Sequence, residues 1–356
     1  MKLPLLNNLH YSKRALVGGF VLVGFLLSYW YWLDYRDFLK TTINFGKEPI
    51  IFQVEKGVGI NKLAMQLTEN GVIEKPNYLK LLAYLQPELS KLRAGEYQLQ
   101  GAMTPREMLL LFNQGKVIQY SFTIIEGQTY WEVLANLDKA PKLVPLSENE
   151  SQQLVKLLGI NVDLAKGNTS NITNSIEGWL LPETYSYSKG ESAISVLRRA
   201  SQAMQQVLQK HWQLRAEDLP LKTPYEALIL ASIIEKETGI ASERAEIAGV
   251  FARRLRKNMR LQTDPTVIYG IGPDFNGDIT RKDLKTPTPY NTYVIKGLPP
   301  TPIAMPSEKA IIAALNPSDG KSLYFVADGT GGHYFSETLA EHQKAVIRML
   351  KRNRQR

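Results

Sequence analysis

The sequence predicts an α+β protein with a single N-terminal transmembrane helix, a small first domain and a larger second domain. One long uncharged apolar run stands near the N-terminus, and no other run in the sequence approaches its length. Downstream, strand-like segments alternate with segments whose apolar residues recur every three or four positions, which is typical of helices. The 356 residues, of which 44% are hydrophobic and 22% charged, are enough for one or two globular domains beside an anchor.

The composition excludes several kinds of site. The net charge is +9, but six of the basic residues lie in the last thirteen positions, and a short basic tail is typical of a solvated chain end. No basic motif with interleaved aromatic residues accompanies it, so we expect no nucleic-acid partner. The absence of cysteine excludes disulfides, thiolate metal ligands and cysteine nucleophiles. The four histidines lack the spacing of a zinc site, and we expect neither a metal nor a cofactor.

The long apolar run, Ala15–Leu33, has the properties of a membrane-spanning helix. It carries no charge, and at about 1.5 Å per residue it nearly spans a hydrocarbon core of roughly 30 Å. The aromatic residues Tyr29–Trp32 stand at its far end, where an interfacial belt belongs. Lys13 and Arg14 contribute to a basic excess on the N-terminal side, which the positive-inside rule places in the cytoplasm.

A cleaved signal peptide is the competing interpretation of this run. The run is long for the apolar part of a signal peptide, and the bulky stretch SYWYWLDY offers no small-x-small cleavage site. We therefore expect a cytoplasmic tail over 1–14, a retained transmembrane helix over 15–34 and a polar stalk over 35–48. The protein is then a single-pass membrane protein, and we expect its remaining residues to fold outside the cytoplasm.

The first domain has the predicted order strand, helix, helix, strand. The strands cover 50–54 and 95–99, and the helices cover 60–70 and 76–85. With the glycine-rich turn after the first strand, this order resembles a LysM module, a small glycan-binding fold. A structural cap on the second domain is the alternative. A capping box at 104–107 then starts a connecting helix.

The second domain contains a loop rich in Asn, Ser, Thr and Gly over 161–175 and, further on, a strongly apolar helix. Thr223 and Glu226 form a capping box around a proline at the first helical position, two start signals that agree. Gly239 is a stop signal at the other end. Two carboxylates, Glu235 and Glu237, therefore lie in the last turn of this helix.

The two carboxylates cannot share a role, because at about 100° per residue they project roughly 200° apart around the helix axis. Glu237 points with the bulky residues Leu230, Ile233 and Ile234, whereas Glu235 lies beside smaller ones. A carboxyl held on an apolar face is desolvated, which raises its pKa and suits a general acid at neutral pH. A solvated helix end is the alternative, and the wheel alone leaves it open because the helix is apolar on most sides.

Two polar, irregular segments follow, 260–270 and 286–293. They combine hydroxyl, amide and aromatic side chains with Pro and Gly, which turn or stiffen loops. Such residues suit a sugar site, in which an aromatic face covers the ring and amides bond to hydroxyls. Turn-rich linkers have the same composition, so both interpretations stay open at this point.

Three segments carry a resemblance to a known family. They are ASIIEKETGIASERAEIAGVFARRLRKNMRLQTDPTVIYGIG, TPTPYNTYVIKGLPPTPIAMPS and LYFVADGTGGHYFSETLAEH. Together they resemble the endolytic murein transglycosylase (YceG-like) family, and the resemblance extends from the LysM-like part to His342. It implies an endolytic peptidoglycan lytic transglycosylase whose catalytic residue is Glu237, the second glutamate of the EKE triplet. This agrees with the helical wheel and leaves Glu235 as a supporting residue.

The reaction implied by the resemblance uses one residue twice. Glu237 protonates the glycosidic oxygen between N-acetylmuramic acid and N-acetylglucosamine as an oxocarbenium-like transition state develops. The carboxylate then takes the proton of the muramic C6 hydroxyl, which attacks its own anomeric carbon and forms a 1,6-anhydro end. Because the attack is intramolecular, it needs neither captured water nor a metal. By their chemistry and their position near the motif, the candidates for contact with the sugar are Gln262, Tyr290 and Asn291, followed by Asp264, Tyr269 and Tyr293.

Two other functions remain open from the sequence. A muramidase would hydrolyse the same bond, with Asp264, Asp274 or Asp278 as its second carboxylate. A non-catalytic peptidoglycan-binding scaffold would act through the LysM-like unit.

The resemblance also implies a place of action, with the anchor in the cell inner membrane and the catalytic domain in the periplasm. The family is associated with terminating nascent glycan strands near the membrane, beside penicillin-binding peptidoglycan synthases, which are the expected protein partners. The predicted division of the chain is a tail over 1–14, a transmembrane helix over 15–34, a stalk over 35–48, the LysM-like subdomain with its connecting helix over 49–120, an α+β catalytic domain over 121–345 and a basic tail over 346–356.

Overall fold

The structure, a computed structural model, describes residues 8–160 and 175–353. The chain divides into two compact units, Met1–Gln119 and Tyr120–Arg356, each with its own hydrophobic core. Both units mix helices with two-stranded antiparallel pairs, which confirms the predicted α+β class. Parts of the expected terminal tails, 1–7 and 354–356, and residues 161–174 of the expected polar loop lie outside the described residues.

The first unit places two helices between paired strands. Its elements are α1 Asn8–Lys40, β1 Ile43–Asn44, β2 Ile50–Val54, α2 Ile60–Glu69, α3 Pro76–Leu85, β3 Gly95–Leu99, β4 Ala102–Met103 and α4 Pro105–Gln114. β2 pairs with β3, with Phe52 opposite Tyr97, so the predicted strand–helix–helix–strand order is present. At the start of α4, the hydroxyl of Thr104 accepts from the backbone N–H of Glu107 at 3.2 Å. That contact belongs to the predicted capping box.

Helix α1 contains the candidate membrane span. Its part from Leu16 to Lys40 is long and apolar enough to cross a membrane by length and composition, a criterion that a signal sequence also meets. The large apolar side chains from Leu16 to Leu27 are exposed. This part of α1 is therefore an N-terminal apolar helix compatible with a single-pass anchor.

The end of α1 belongs to the folded first unit, which differs from the polar stalk expected over 35–48. Phe38 and Phe45 are buried in the core of that unit. Asp34 accepts hydrogen bonds from Lys75 Nζ at 2.6 Å and from the hydroxyl of Tyr78 at 2.8 Å. The polar composition of 35–48 predicted a stalk, but Tyr35 and Phe38 pack against Tyr78 of α3, a contact that composition does not reveal.

The second unit is built around a buried helix. Its elements are β5 Tyr120–Thr123, α5 Tyr130–Leu137, α6 Glu148–Gln152, α7 Leu154–Leu157, β6 Thr184–Tyr187, α8 Ala193–Gln213, α9 Pro224–Glu237, α10 Arg244–Arg256, α11 Asp264–Ile271, α12 Glu308–Leu315, β7 Tyr324–Ala327, β8 His333–Ser336 and α13 Leu339–Asn353. β5 pairs with β6, and β7 forms a hairpin with β8. Helix α13 includes most of the expected basic tail over 346–356.

Helix α9 is the centre of the second core. Its residues 227–234 are all buried, and it packs against α8, α10, α11 and α12. Thr223 caps its first turn, as predicted, by accepting from the backbone N–H of Glu226 at 3.2 Å. The other half of the predicted capping box differs, because the Glu226 carboxylate accepts from the backbone N–H of Lys222. The helix ends at Glu237, two residues before the predicted stop. Its last turn lies at the edge of the core, and both carboxylates there are half-exposed.

Candidate active site

The two glutamates at the end of α9 point to different parts of the second unit. Glu237 accepts a hydrogen bond from the hydroxyl of Thr263, in the segment before α11. Glu235 accepts from the backbone N–H of Ser307 at 2.9 Å and also from the hydroxyl of this residue. Because Ser307 is the N-cap of α12, Glu235 ties two buried helices together. The divergence predicted by the helical wheel is confirmed.

A cavity of about 510 Å³ opens beside Glu237. One wall is the β7–β8 hairpin with the start of α13, and the other is the segment that leads into α11. Three of the predicted substrate residues line it together with Glu237. The lining residues are Glu237, Arg254, Leu261, Gln262, Thr263, Asp264, Tyr293, Tyr324, Phe325, Val326, Ala327, His333, Leu339 and His342.

Burial raises the pKa of Glu237 to about 7. The hydrogen bond from Thr263 and the electrostatic effects of His333 and Arg254 lower this pKa, while the negative charge of Asp264 raises it. The side chain is half-buried, because it meets the cavity on one side while protein atoms crowd the other. At neutral pH the group is therefore divided between its acid and base forms, which suits a residue that must donate and then accept a proton.

A buried arginine brings positive charge to the cavity. Arg254 donates from Nε to the carbonyl of Leu323 and from Nη1 to the carbonyl of Leu261, each at 2.6 Å. Its guanidinium carbon lies 5.2 Å from the centre of the Tyr324 ring. Arg254 thus holds the hairpin and the segment before α11 together, and its charge favours the ionised form of Glu237.

The segment before α11 is held in an unusual conformation. Gln262 has a φ of 53°, in the left-handed region that side chains other than glycine rarely adopt. The backbone N–H of Gln262 donates to the carbonyl of Thr292 at 3.2 Å, and that of Thr263 donates to the hydroxyl of Thr292 at 3.1 Å. Asp264, two residues after Gln262, accepts a hydrogen bond from the hydroxyl of Tyr293 at 2.6 Å. Gln262, Asp264 and Tyr293 are thereby brought to the cavity with Glu237.

The other three predicted substrate residues lie elsewhere. Asn291 is buried, and its amide nitrogen donates to the carbonyls of Asp283 at 2.9 Å and Thr286 at 2.7 Å. The Tyr290 hydroxyl is bonded to that of Thr301 at 2.8 Å. The ring of Tyr269 lies 5.0 Å from that of Tyr290. These contacts give the three residues internal partners rather than a place on the cavity wall.

Tyr269 leads to a buried carboxyl that sequence reasoning missed. Glu177 is 1% exposed and accepts from the backbone N–H of Tyr130 at 3.1 Å and from the side chain of Tyr269. Burial raises its pKa to about 8. The ring of Trp131 lies 5.0 Å from that of Tyr269, tilted by 30°, and helps to enclose the group. No local pattern in the sequence points to Glu177, since its partners come from α5 and α11.

Three further cavity residues were missed as individual candidates: Arg254, His333 and His342. The signal that could have found the histidines is the third family segment, which contains both of them. Of the three aspartates considered for hydrolysis, Asp264 lines the cavity, whereas Asp274 and Asp278 are exposed and do not. Among residues 8–160 and 175–353, no group of three or more His, Asp or Glu is arranged to hold a metal ion.

Comparison with known proteins identifies the family. Residues 52–348 match the YceG-like family, and the chain belongs to it. An endolytic murein transglycosylase of Bacillus subtilis (strain 168) is 29% identical over 86% of this chain and 84% of its own length. One from Streptococcus pneumoniae serotype 2 (strain D39) is 26% identical over 94% of this chain, which spans 65% of that relative.

A solved structure has the same fold over most of the chain. It is the crystal structure of a YceG-like protein from Listeria monocytogenes, with 31% sequence identity and a TM-score of 0.53. The match covers 84% of this chain and 99% of the Listeria chain.

Proposed function

We propose that this protein is an endolytic peptidoglycan lytic transglycosylase that cleaves the bond between N-acetylmuramic acid and N-acetylglucosamine and leaves 1,6-anhydromuramic ends. The observation that carries the proposal is Glu237, a carboxyl with a pKa of about 7 at the wall of a cavity. The names of the relatives from Bacillus and Streptococcus support the same reaction.

Glu237 acts as both acid and base in the proposed mechanism. Its protonated form donates to the glycosidic oxygen as the anomeric carbon gains positive charge. The carboxylate that remains takes the proton of the C6 hydroxyl, which closes the anhydro ring, so the residue ends the cycle protonated again. Arg254 stabilises the ionised intermediate state of Glu237, because its charge lies on the same cavity.

The remaining candidates take different parts in the proposed site. Gln262 and Tyr293 bind sugar hydroxyls or the acetamido group, and the negative charge of Asp264 stabilises the developing oxocarbenium ion. Tyr290 and Asn291 shape the loop that carries Tyr293, a role supported by their internal hydrogen bonds.

The proposal also includes the location of the protein in the cell. The apolar part of α1 is the membrane anchor, with its N-terminus in the cytoplasm and both units in the periplasm. The first unit is a LysM-like glycan-binding module, supported by its strand–helix–helix–strand order. The enzyme releases or terminates nascent strands beside the penicillin-binding synthases, and the anchor keeps its cavity close to newly made glycan.

The test is the chemistry of the new chain ends. Full-length protein in detergent is incubated with purified peptidoglycan, alongside Glu237→Gln, and the products are identified by mass spectrometry. Full length is required because Phe38 and Phe45 belong to the core of the first unit. Anhydromuramic ends that disappear in the variant are the expected result.

Two other outcomes would replace this function. Reducing ends would establish a muramidase, and Asp264 is then the second carboxylate, because it lines the cavity with Glu237. Glycan binding without cleavage by the wild type would establish a scaffold, and Glu237→Gln would then leave its function intact.

A further inference from the structure

The hairpin wall of the cavity contains a histidine that a carboxylate holds by two contacts. His333 begins β8, and its Nδ1 lies 2.7 Å from Oε2 of Glu243. The backbone N–H of His333 donates to Oε1 of the same carboxylate at 2.8 Å. Both oxygens of Glu243 are thus directed at one residue, 90 positions away in the sequence.

The residues around this pair are adapted to the close approach. A Cβ atom at Gly332 would lie 2.8 Å from Oε1 of Glu243, so a side chain there would displace the carboxylate. Asp328 closes the hairpin turn by accepting from the backbone N–H of Thr330 at 2.6 Å and of Gly332 at 3.2 Å. The pair therefore joins the hairpin to the start of α10 in a fixed arrangement, unlike an ion pair between two mobile surface side chains.

The pair also fixes which nitrogen meets the cavity. A carboxylate only accepts hydrogen bonds, so the contact with Glu243 keeps a proton on Nδ1 and leaves Nε2 as the nitrogen that can meet a substrate, as an acceptor in the neutral ring or a donor in the protonated ring. Among the residues that the structure describes, Nε2 has no hydrogen-bond partner, and the side chain lines the cavity with Glu237. Phe325 packs edge-on against the imidazole at 5.4 Å, which limits rotation of the ring.

We propose that His333 binds the substrate glycan through a hydrogen bond between Nε2 and a sugar hydroxyl, and that Glu243 is its positioning residue. The proposal rests on the proposed function in one respect, since it takes the substrate of the cavity to be a glycan. It does not depend on whether the bond is broken by transglycosylation or by hydrolysis.

The second unit offers a matched control. His211 of α8 forms a hydrogen bond of 2.6 Å with Glu308 of α12, and neither residue lines the cavity. Removing this second histidine–carboxylate contact tests what such a change does to the fold without altering the proposed site.

The experiment is a double-mutant cycle on full-length protein in detergent, with kcat/KM measured on purified glycan strands. His333→Phe keeps an aromatic ring but removes both nitrogens, and we expect kcat/KM to fall about 10-fold, as for one lost hydrogen bond. His333→Gln retains a polar atom near the place of Nε2 and should recover part of that loss. Glu243→Gln should lower kcat/KM by about 3-fold in the wild type but have no further effect in His333→Phe. His211→Phe and Glu308→Gln should stay within about 2-fold of the wild type.

A second readout keeps folding and the cleavage chemistry apart from the proposal. Binding of uncleaved glycan strands is measured in the Glu237→Gln background, and we expect His333→Phe to weaken it while the thermal unfolding temperature stays near that of the parent. If the products carry reducing ends instead of anhydro ends, the transglycosylase assignment is wrong. The comparison of glycan binding between His333→Phe and its parent can still be interpreted. The proposal is overturned if His333→Phe binds and cleaves glycan within 2-fold of its parent, or if Glu243→Gln adds its full effect to His333→Phe.

Discussion

The cavity beside Glu237 and the enclosed cluster around Glu177 contain the same kind of group in opposite settings. In both, burial raises the pKa of a glutamate, to about 7 for Glu237 and about 8 for Glu177. Helix α11 connects them, since its first residue, Asp264, lines the cavity and Tyr269 reaches Glu177. Glu237 meets open space and charged neighbours, whereas Glu177 is enclosed. A raised pKa alone therefore does not identify a catalytic acid, and access for a substrate decides the matter.

The largest expected difference between the two regions is in activity. Glu237→Gln should lower the rate of glycan cleavage by about 10²–10⁴-fold, because it removes the proposed general acid and base. Glu177→Gln keeps the acceptor for Tyr130 and should leave the rate within a few-fold of the wild type. Mass spectrometry of chain ends measures both variants, and a comparable loss in the two would break the distinction.

For stability the order of the two regions should be reversed, with the larger effect at the enclosed Glu177. Glu177→Ala removes the acceptor from the backbone N–H of Tyr130 and from Tyr269, and an unpaired buried donor costs about 1–3 kcal/mol. Thermal unfolding of the full-length protein should therefore shift clearly downwards. Glu177→Gln is the control, and a loss in Glu177→Gln as large as that in Glu177→Ala would mean that the hydrogen bonds are not the cause.

The pH dependence of stability should sharpen the comparison further. The native pKa of Glu177, about 8, lies above its ordinary value of 4.5, so between these values the native state binds more protons than the unfolded state. Stability should then be highest below pH 4.5 with respect to this group and fall as the pH rises towards 8. Glu177→Gln should flatten that fall in a series of thermal unfolding curves. An unchanged slope would show that Glu177 is not the group responsible.

A smaller pH effect is expected in the activity. The charge of Asp264 raises the pKa of Glu237, so Asp264→Asn should lower it and move the alkaline limb of the kcat/KM profile to lower pH. Asp278→Asn, at an exposed position outside the cavity lining, makes the same change in net charge and serves as the control. A limb that moves to higher pH in Asp264→Asn would contradict the electrostatic role.

The smallest expected effect concerns the neighbouring glutamate. Glu235→Ala removes an acceptor from the N-cap of α12, which should lower stability by about 1 kcal/mol. Activity should change much less than in Glu237→Gln. Equal losses of activity in the two variants would mean that the directions of the two side chains do not separate their roles.

Much of helix α9 could be predicted because the signals lie within a few residues of one another. The N-cap at Thr223 and the proline after it are signals of adjacent residues, and the divergence of Glu235 from Glu237 follows from helical periodicity. Strands β2 and β3 of the first unit were predicted at their observed bounds for the same reason, whereas the two-residue strands β1 and β4 were not predicted. The stalk over 35–48 was not, because Phe38 and Phe45 become core residues only where the rest of the unit receives them.

The membrane-compatible run, the helix that ends in Glu237 and the resemblance to the YceG-like family were all accessible from the sequence by itself. Only the tertiary structure decided which polar residues reach the cavity. Gln262, Asp264 and Tyr293 reach it. The side-chain amide of Asn291 instead donates to the carbonyls of Asp283 and Thr286. The contact of Glu237 with Thr263 joins residues 26 positions apart, and that of Glu243 with His333 joins residues 90 apart. Such pairs form when buried helices and hairpins pack, and no local pattern records them.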